Sequence, residues 1–252
     1  MTGRVAIYAV PGTGSQDPTA RLLKQRAESW LGRRVDGLAP DPDLPTGWTR
    51  EAADAITVDA RRYGFHGTLK APFRLAEGST LERLDQDVER FAATRAAVEI
   101  PHLALTRMGS FFALTPGEAA PELHALTDAL VEAFDGYRAP ATEAEIARRD
   151  PAALSPRRRE LLETWGYPYV FDEFRFHLTV TDRIPTDRQL EVHATLADWF
   201  ADCLGRPIAI ESLALLTESE PGAPFRLHSI HPLQRPVPLP HASEAFDHEG
   251  TR

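Results

Sequence analysis

One short pattern is written twice in this chain. Arg62-Tyr63-Gly64-Phe65-His66-Gly67-Thr68-Leu69-Lys70 and Phe174-Arg175-Phe176-His177-Leu178-Thr179-Val180-Thr181 each set a histidine two residues before a threonine, inside an apolar and aromatic run. On a strand, side chains two apart share a face and lie about 6.6–6.8 Å from each other. Read as strands, the first copy puts Arg62, His66, Thr68 and Lys70 on one face and Phe65 and Leu69 on the other. The second groups Arg175, His177, Thr179 and Thr181 opposite Phe174, Phe176, Leu178 and Val180. Each strand has a greasy face that must be covered and a second face of imidazole, hydroxyl and cation. A half-buried strand ordinarily fills its wet side with Thr, Ser or simple charge. The same order twice, each time with a cation two residues from the motif, is not filler.

The segments around these strands fix the fold class. Residues 5–10 read as an opening strand, ended by the turn at 11–18, and residues 19–31 carry an apolar stripe at helical spacing. Residues 37–48 form a Pro/Gly/Asp loop. The first motif strand is expected over 64–69, with Ala71-Pro72 ending or bending it. Ser79 followed by Glu82 has the form of a capping box opening a helix over 79–93. Strands over 98–106 and 110–115 flank a hairpin at Arg107-Met108-Gly109-Ser110, and a helix covers 121–134. The second motif strand is expected over 173–181. A helix over 186–204 follows, opening on Thr186 and Gln189 as another box, and strands over 207–216 and 225–233 close the sequence. In each half a motif strand is followed by a helix and two strands. The expected fold is α+β: two similar lobes, each an antiparallel sheet with flanking helices, forming a central cleft. Residues 1–235 make one bilobal unit whose lobes mix along the chain. A polar, Pro-containing stretch at about 137–168 reads as a lid or insertion, and 236–252 as a flexible tail.

Composition narrows the function classes. A net charge of −9 argues against a long nucleic acid partner while leaving room for a local basic pocket. The single cysteine, Cys203, supports neither an internal disulfide nor a thiolate metal site; its expected role is packing in a reducing compartment. No stretch has the roughly 20 apolar residues needed to span a bilayer, and the first ten residues lack a signal peptide's apolar run, so a cytoplasmic protein is expected. Val10-Pro11-Gly12-Thr13-Gly14-Ser15 is a turn, since the Lys-Ser/Thr of a nucleotide loop does not follow.

Two imidazoles suit paired proton transfer near neutral pH, because one can start neutral and the other protonated. Threonine hydroxyls can donate to nonbridging phosphate oxygens, and Arg or Lys can offset charge as it shifts in the transition state. Together they describe in-line attack on a phosphodiester. His66, Thr68, His177 and Thr179 are the candidate catalytic set, with Lys70, Arg175, Tyr63, Arg62, Thr181 and Tyr8 as candidate substrate contacts. If residues 155–163 fold over the cleft, Arg157, Arg158 or Arg159 would meet a distal phosphate. The competing reading, a pair of hydrogen-bonded structural histidines, fits one such histidine better than a matched pair. A metal site lacks a ligand cluster at suitable spacing, so neither metal nor cofactor is expected.

The paired His-x-Thr strands resemble the 2H phosphoesterase superfamily. The stretches "RVAIYAVP", "AESWLGRRVDG", "RYGFHGTLKAPFRL" and "GYPYVFDEFRFHLTVTDRI" together resemble a bacterial family associated with phosphonate-utilisation operons, from about Arg4 to Leu233. The resemblance implies a metal-independent, two-lobed cyclic phosphodiesterase with His66, Thr68, His177 and Thr179 at the motif positions. It implies a substrate, 5-phosphoribosyl 1,2-cyclic phosphate, opened to ribose 1,5-bisphosphate in the carbon–phosphorus lyase route. Gly67 occupies the motif's variable middle position. The expected partner is a small phosphorylated sugar or nucleotide, with no membrane. Two other readings stay open: an enzyme for 2′,3′-cyclic nucleotides or RNA ends with 2′-5′ linkages, and a module that binds a phosphorylated ligand without turning it over. Oligomeric state is not legible in the sequence.

Overall fold

The computed structural model describes residues 3–234 of the chain. The opening apolar run forms β1 (Arg4–Ala9), which lies between β2 (Gly67–Phe73) and β8 (Ser212–Glu218), antiparallel to both. With β4 (Leu103–Met108), β5 (Phe111–Pro116), β6 (Leu178–Thr179) and β9 (Arg226–Pro232), these strands build a seven-stranded antiparallel sheet in the order β4-β5-β6-β2-β1-β8-β9. A separate ribbon pairs β3 (Val98–Ile100) with β7 (Ile208–Ile210).

The fold is α+β, as the sequence predicts, but the two sheets expected for the lobes are halves of one. The half β4-β5-β6 carries the second motif and the half β2-β1-β8-β9 carries the first. They meet at a seam where β2 and β6 register at a single pair, Gly67 with Leu178.

The helices are α1 (Pro18–Leu31), α2 (Arg50–Asp54), α3 (Val58–Tyr63), α4 (Leu81–Ala92), α5 (Pro121–Ala133), α6 (Glu143–Ala147), α7 (Pro156–Trp165) and α8 (Gln189–Trp199). Helix α1 starts on Asp17, whose carboxylate accepts from the Thr19 and Ala20 amides, and stops at Gly32 in the left-handed region. Its apolar stripe joins Val5, Ile7, Leu69, Leu114, Leu178 and Leu215 in the main core, which runs beneath both halves of the sheet. A smaller cluster on the opposite face gathers Ala6, Tyr8, Val10, Val35, Leu216 and Phe225. Among the described residues no helix is long and apolar enough to cross a membrane. Cys203 is buried and free; burial pushes its thiol up to about 11.

Several local expectations shift. Helix α4 is capped by Thr80, one residue after Ser79, its hydroxyl accepting from the Arg83 amide. The second box does not form. Thr186–Arg188 is a 3₁₀ turn, and the Gln189 amide donates instead to the Ile184 carbonyl while its oxygen accepts from Arg107. Pro72 does not end the first motif strand. The β1–β2 ladder is irregular between Val5 and Ile7, where Pro72 lies, so a residue without an N–H is tolerated there. The predicted tail at 236–252 lies outside the described residues.

Candidate active site

The two motifs lie side by side. On antiparallel strands, stepping one residue from the Gly67–Leu178 pair sets His66 across from Thr179 and Thr68 across from His177. Leu178 points into the main core, so the four motif side chains share the other face. The arrangement is crossed, each histidine facing the other motif's threonine. Gly67 is required here. A Cβ on it would meet the buried Phe176 ring at 2.3 Å, so its motif position is not a free one at this seam.

Each imidazole is set by its own backbone. Nδ1 of His66 lies 2.9 Å from the Gly64 carbonyl and Nδ1 of His177 2.8 Å from the Arg175 carbonyl, both two residues back. A carbonyl can only accept, so Nδ1 carries a proton and donates in both rings, which leaves Nε2 of each ring as the nitrogen that can take or give a second proton. His66 Nε2 lies 3.4 Å from the Thr68 hydroxyl. Gly64 makes the first bond possible: its φ of 77° and ψ of 179° belong to glycine, and a Cβ there would meet Val35 at 2.4 Å.

The surroundings of His66 are apolar on its inner side. Its ring stacks on Tyr8, centroids 4.0 Å apart, with Tyr63 at 5.8 Å. Burial pushes its pKa down to about 4, against the raising effect of the Gly64 hydrogen bond; the charge of His177 lowers it further. At neutral pH the His66 ring is therefore uncharged.

Thr68, His177 and Arg175 line a cavity of about 340 Å³. Its far wall comes from the polar stretch between α5 and β6: Arg158 on α7, then Tyr167 and Tyr169. Arg158 is held 2.8 Å from Glu173 and lies over the Tyr169 ring. Arg157 is taken up by Asp172 and Glu160, and the Arg159 Nε donates to the Leu154 carbonyl.

Other expected contacts fall elsewhere. Lys70 sits on the opposite face from Thr68, because a bulge pairs Tyr8 with Thr68 but Ile7 with Lys70, breaking the alternation. Lys70 is 4 % exposed, its ammonium donating to the Val131 carbonyl of α5 near Asp135; burial lowers its pKa to about 8, against the raising effect of Asp135. Thr181 is also buried. Its hydroxyl accepts from the Phe112 amide, because the amides of Val180 and Thr181 both turn to the Phe112 carbonyl and the strand slips. Tyr8 is wholly buried under His66, a support for the ring rather than a ligand contact. Arg62 and Tyr63 end α3, off the strand, and line a second cavity beside the first.

Asp182 and Arg33 also act on the site, and strand alternation points to neither. The Asp182 carboxylate accepts from the Asp59 and Ala60 amides, capping α3 from across the chain, while Arg33 donates to the Arg61 and Arg62 carbonyls at the other end. Helix α3, and with it Gly64 and His66, is clamped at both ends. Among the described residues no three His, Cys, Asp or Glu side chains converge as a metal site.

Fold and site define an α+β protein with two His-x-Thr strands paired on one face of an antiparallel sheet. The chain belongs to the family described as "Protein of unknown function (DUF1045)", whose model matches residues 68–226. It is 38% identical over 230 residues to a ribose 1,5-bisphosphate phosphokinase PhnN of Janthinobacterium sp. (strain Marseille), covering 88% of this chain and 49% of that protein. A protein of the same name from Laribacter hongkongensis (strain HLHK9) is 37% identical, covering 89% of this chain and 50% of its own length. The chain thus spans about half the length of the curated relatives it matches. Among solved structures, one described as a phosphoesterase is 13% identical at a TM-score of 0.39, covering 93% of this chain and 99% of that one. A conserved protein of unknown function from Agrobacterium tumefaciens str. C58 is 12% identical at 0.40, covering 91% and 86%.

Proposed function

We propose that this chain is a metal-independent cyclic phosphodiesterase in which His66 is the general base and His177 the general acid. The observation that carries the reading is the pair of imidazoles on adjacent antiparallel strands, each tied at Nδ1 to its own backbone and crossed with the other motif's threonine. In the reaction, His66 Nε2 takes a proton from water as the water oxygen attacks phosphorus in line. The opposite P–O ester bond breaks, and Nε2–H of His177 protonates the leaving oxygen, giving one phosphate monoester and one hydroxyl. Exchange with solvent returns each ring to its starting state. Thr68, Thr179 and Arg175 hold the nonbridging oxygens and offset their charge. The low pKa of His66 supports the base assignment, since the ring is neutral when water must be deprotonated.

The substrate we propose is 5-phosphoribosyl 1,2-cyclic phosphate, opened to ribose 1,5-bisphosphate. Its support comes from the relatives, named for a kinase of ribose 1,5-bisphosphate, of which this chain matches about half. Gly12 and Gly14 are not followed by the lysine of a phosphate-binding loop, which favours the phosphodiesterase reading over a loop-dependent kinase for this chain. An enzyme opening the cyclic ester would supply the compound such a kinase consumes.

The test is phosphorus NMR of EDTA-treated protein with this compound, a ribose 1,2-cyclic phosphate without the 5-phosphate, and nucleoside 2′,3′-cyclic phosphates. Ring opening of the first, undiminished by EDTA, is the expected result. Loss with chelator and recovery with a divalent metal would overturn the mechanism. Preference for the nucleotides would move the substrate to that class, for which Phe111, Tyr167 and Tyr169 offer aromatic surface for a base.

A further inference from the structure

Beside the cavity lined by Thr68 and His177 lies a second one of about 510 Å³ whose lining includes Arg4, Arg62, Arg74, Arg138, Arg148 and Arg149. In a chain of net charge −9 this is a concentrated patch of the opposite sign. Three of the six are neutralised: Arg4 by Glu218, Arg74 by Glu145 and Arg138 by Asp135. Of the other three, Arg148 and Arg149 are in surplus among the described residues and Arg62 is only loosely paired. Among the described residues Arg148 makes no ion pair, and Arg149 lies only over the Tyr167 ring at 4.8 Å. Arg62 lies over the Tyr63 ring and reaches carboxylates only at 3.7 and 3.9 Å.

The two cavities share one sheet face and an aromatic divide. Arg4 and Tyr8 sit on the same side of β1, about 13 Å apart along the strand. Tyr8 supports His66, and Tyr63 lines the arginine cavity while standing 5.8 Å from the His66 ring. Tyr167 lines the first cavity and carries Arg149 on its ring. The polar stretch between α5 and β6 walls both cavities, supplying Arg158 to one and Arg148 and Arg149 to the other.

We infer that Arg62, Arg148 and Arg149 form a subsite for a phosphate monoester carried by the substrate, separate from the phosphodiester that is cleaved. Arginine suits this task, since its planar fork donates two bonds to a phosphate and it stays charged at all working pH values. This rests on the proposed phosphodiesterase reading for the neighbouring site, and it places the distal-phosphate role on these residues instead of Arg157 or Arg159.

Two measurements separate the subsite from the reaction. Ribose 5-phosphate is titrated calorimetrically into the wild-type protein, R148A/R149A and H66A/H177A. The arginine variant is expected to bind at least about tenfold more weakly and the histidine variant to bind as wild type does, whether or not any cyclic ester is hydrolysed. R148A alone, a side chain with no ion-pair partner among the described residues, should weaken binding in the same direction, and R148K should restore part of it. In kinetics, the kcat/KM ratio for 5-phosphorylated over unphosphorylated ribose 1,2-cyclic phosphate should fall at least about tenfold in R148A/R149A, mainly through KM. No binding of ribose 5-phosphate by the wild type, or equal binding by the folded arginine variant, overturns the subsite. Failure of hydrolysis alone overturns only the phosphodiesterase reading.

Discussion

His66 and His177 share one local geometry and differ in what surrounds them. The Nδ1 bond to the carbonyl two residues back is common to both, while the Tyr8 stack belongs to His66 alone. If they transfer protons to and from one phosphate, His66→Ala and His177→Ala should each lower turnover by at least roughly 10²-fold. The double variant should lose much less than the product of the two, because the groups act as a unit; steady-state kinetics on folded variants decides this. The acid limb of kcat/KM should fall well below the ordinary histidine range of about 6.5, following the depressed His66 value. The same depression has a sign for stability. Unfolded His66 binds a proton below about pH 6.5 and the folded ring only near 4, so stability is lost as pH falls through that window. Urea midpoints at pH 7 and pH 5 should therefore differ less in His66→Gln than in wild type, and equal differences would contradict the burial. The motif pairs are legible in the sequence because alternation holds across each His-x-Thr. Lys70 and Thr181 are misread because a bulge follows each motif, and a bulge leaves no mark in residue type.

Helix α3 is where the site depends on residues distant in sequence. Six residues long, it is too short to persist by its own hydrogen bonds. Thr57, which precedes it, supplies no side-chain cap, and Asp182 does so from the end of the second motif. Asp182→Ala should cost about 0.5–2 kcal/mol, the usual range for a lost N-cap. It should also lower kcat, since α3 leads into Gly64 and His66; a drop in melting temperature with full activity would separate the helix from the site. At the seam, Gly67→Ala drives a methyl into Phe176, an overpacking that costs typically about 1–3 kcal/mol. Differential scanning calorimetry of that variant against wild type measures it. Regular helices such as α1 and α5 are legible from periodicity and their boundary residues. Helices α2 and α3 are not, because their stripes are too short to show a period and α3 is held by contacts made far along the chain.

At the scale of the molecule, the seam and the core make opposite demands. The two half-sheets share one registered pair, Gly67 with Leu178, which by itself would let them part as separate units. The main core crosses beneath that seam. Val5, Ile7, Leu69 and Phe73 from one half pack in the same cluster as Phe112, Leu114, Leu178 and Val180 from the other, with Trp30 of α1 among them. The Trp30 indole N–H also donates to the Val180 carbonyl at 2.7 Å, tying the first helix to the second motif's strand. Separating the halves would expose main-core apolar surface on both, at roughly 25 cal/mol per Å²; the smaller cluster around Tyr8 and Phe225 stays with one half and does not replace it. We therefore predict one cooperative unfolding transition for the chain, although at this length independent domains are common. Near-ultraviolet circular dichroism, tryptophan fluorescence and calorimetry should give coincident melts with calorimetric and van't Hoff enthalpies equal. Two resolved transitions, or a first transition that spares the Trp30 environment, would mean that the halves are independent domains. In that case the two motifs would be held in register by the seam alone, and the crossed His–Thr pairs would be lost at the lower of the two transitions.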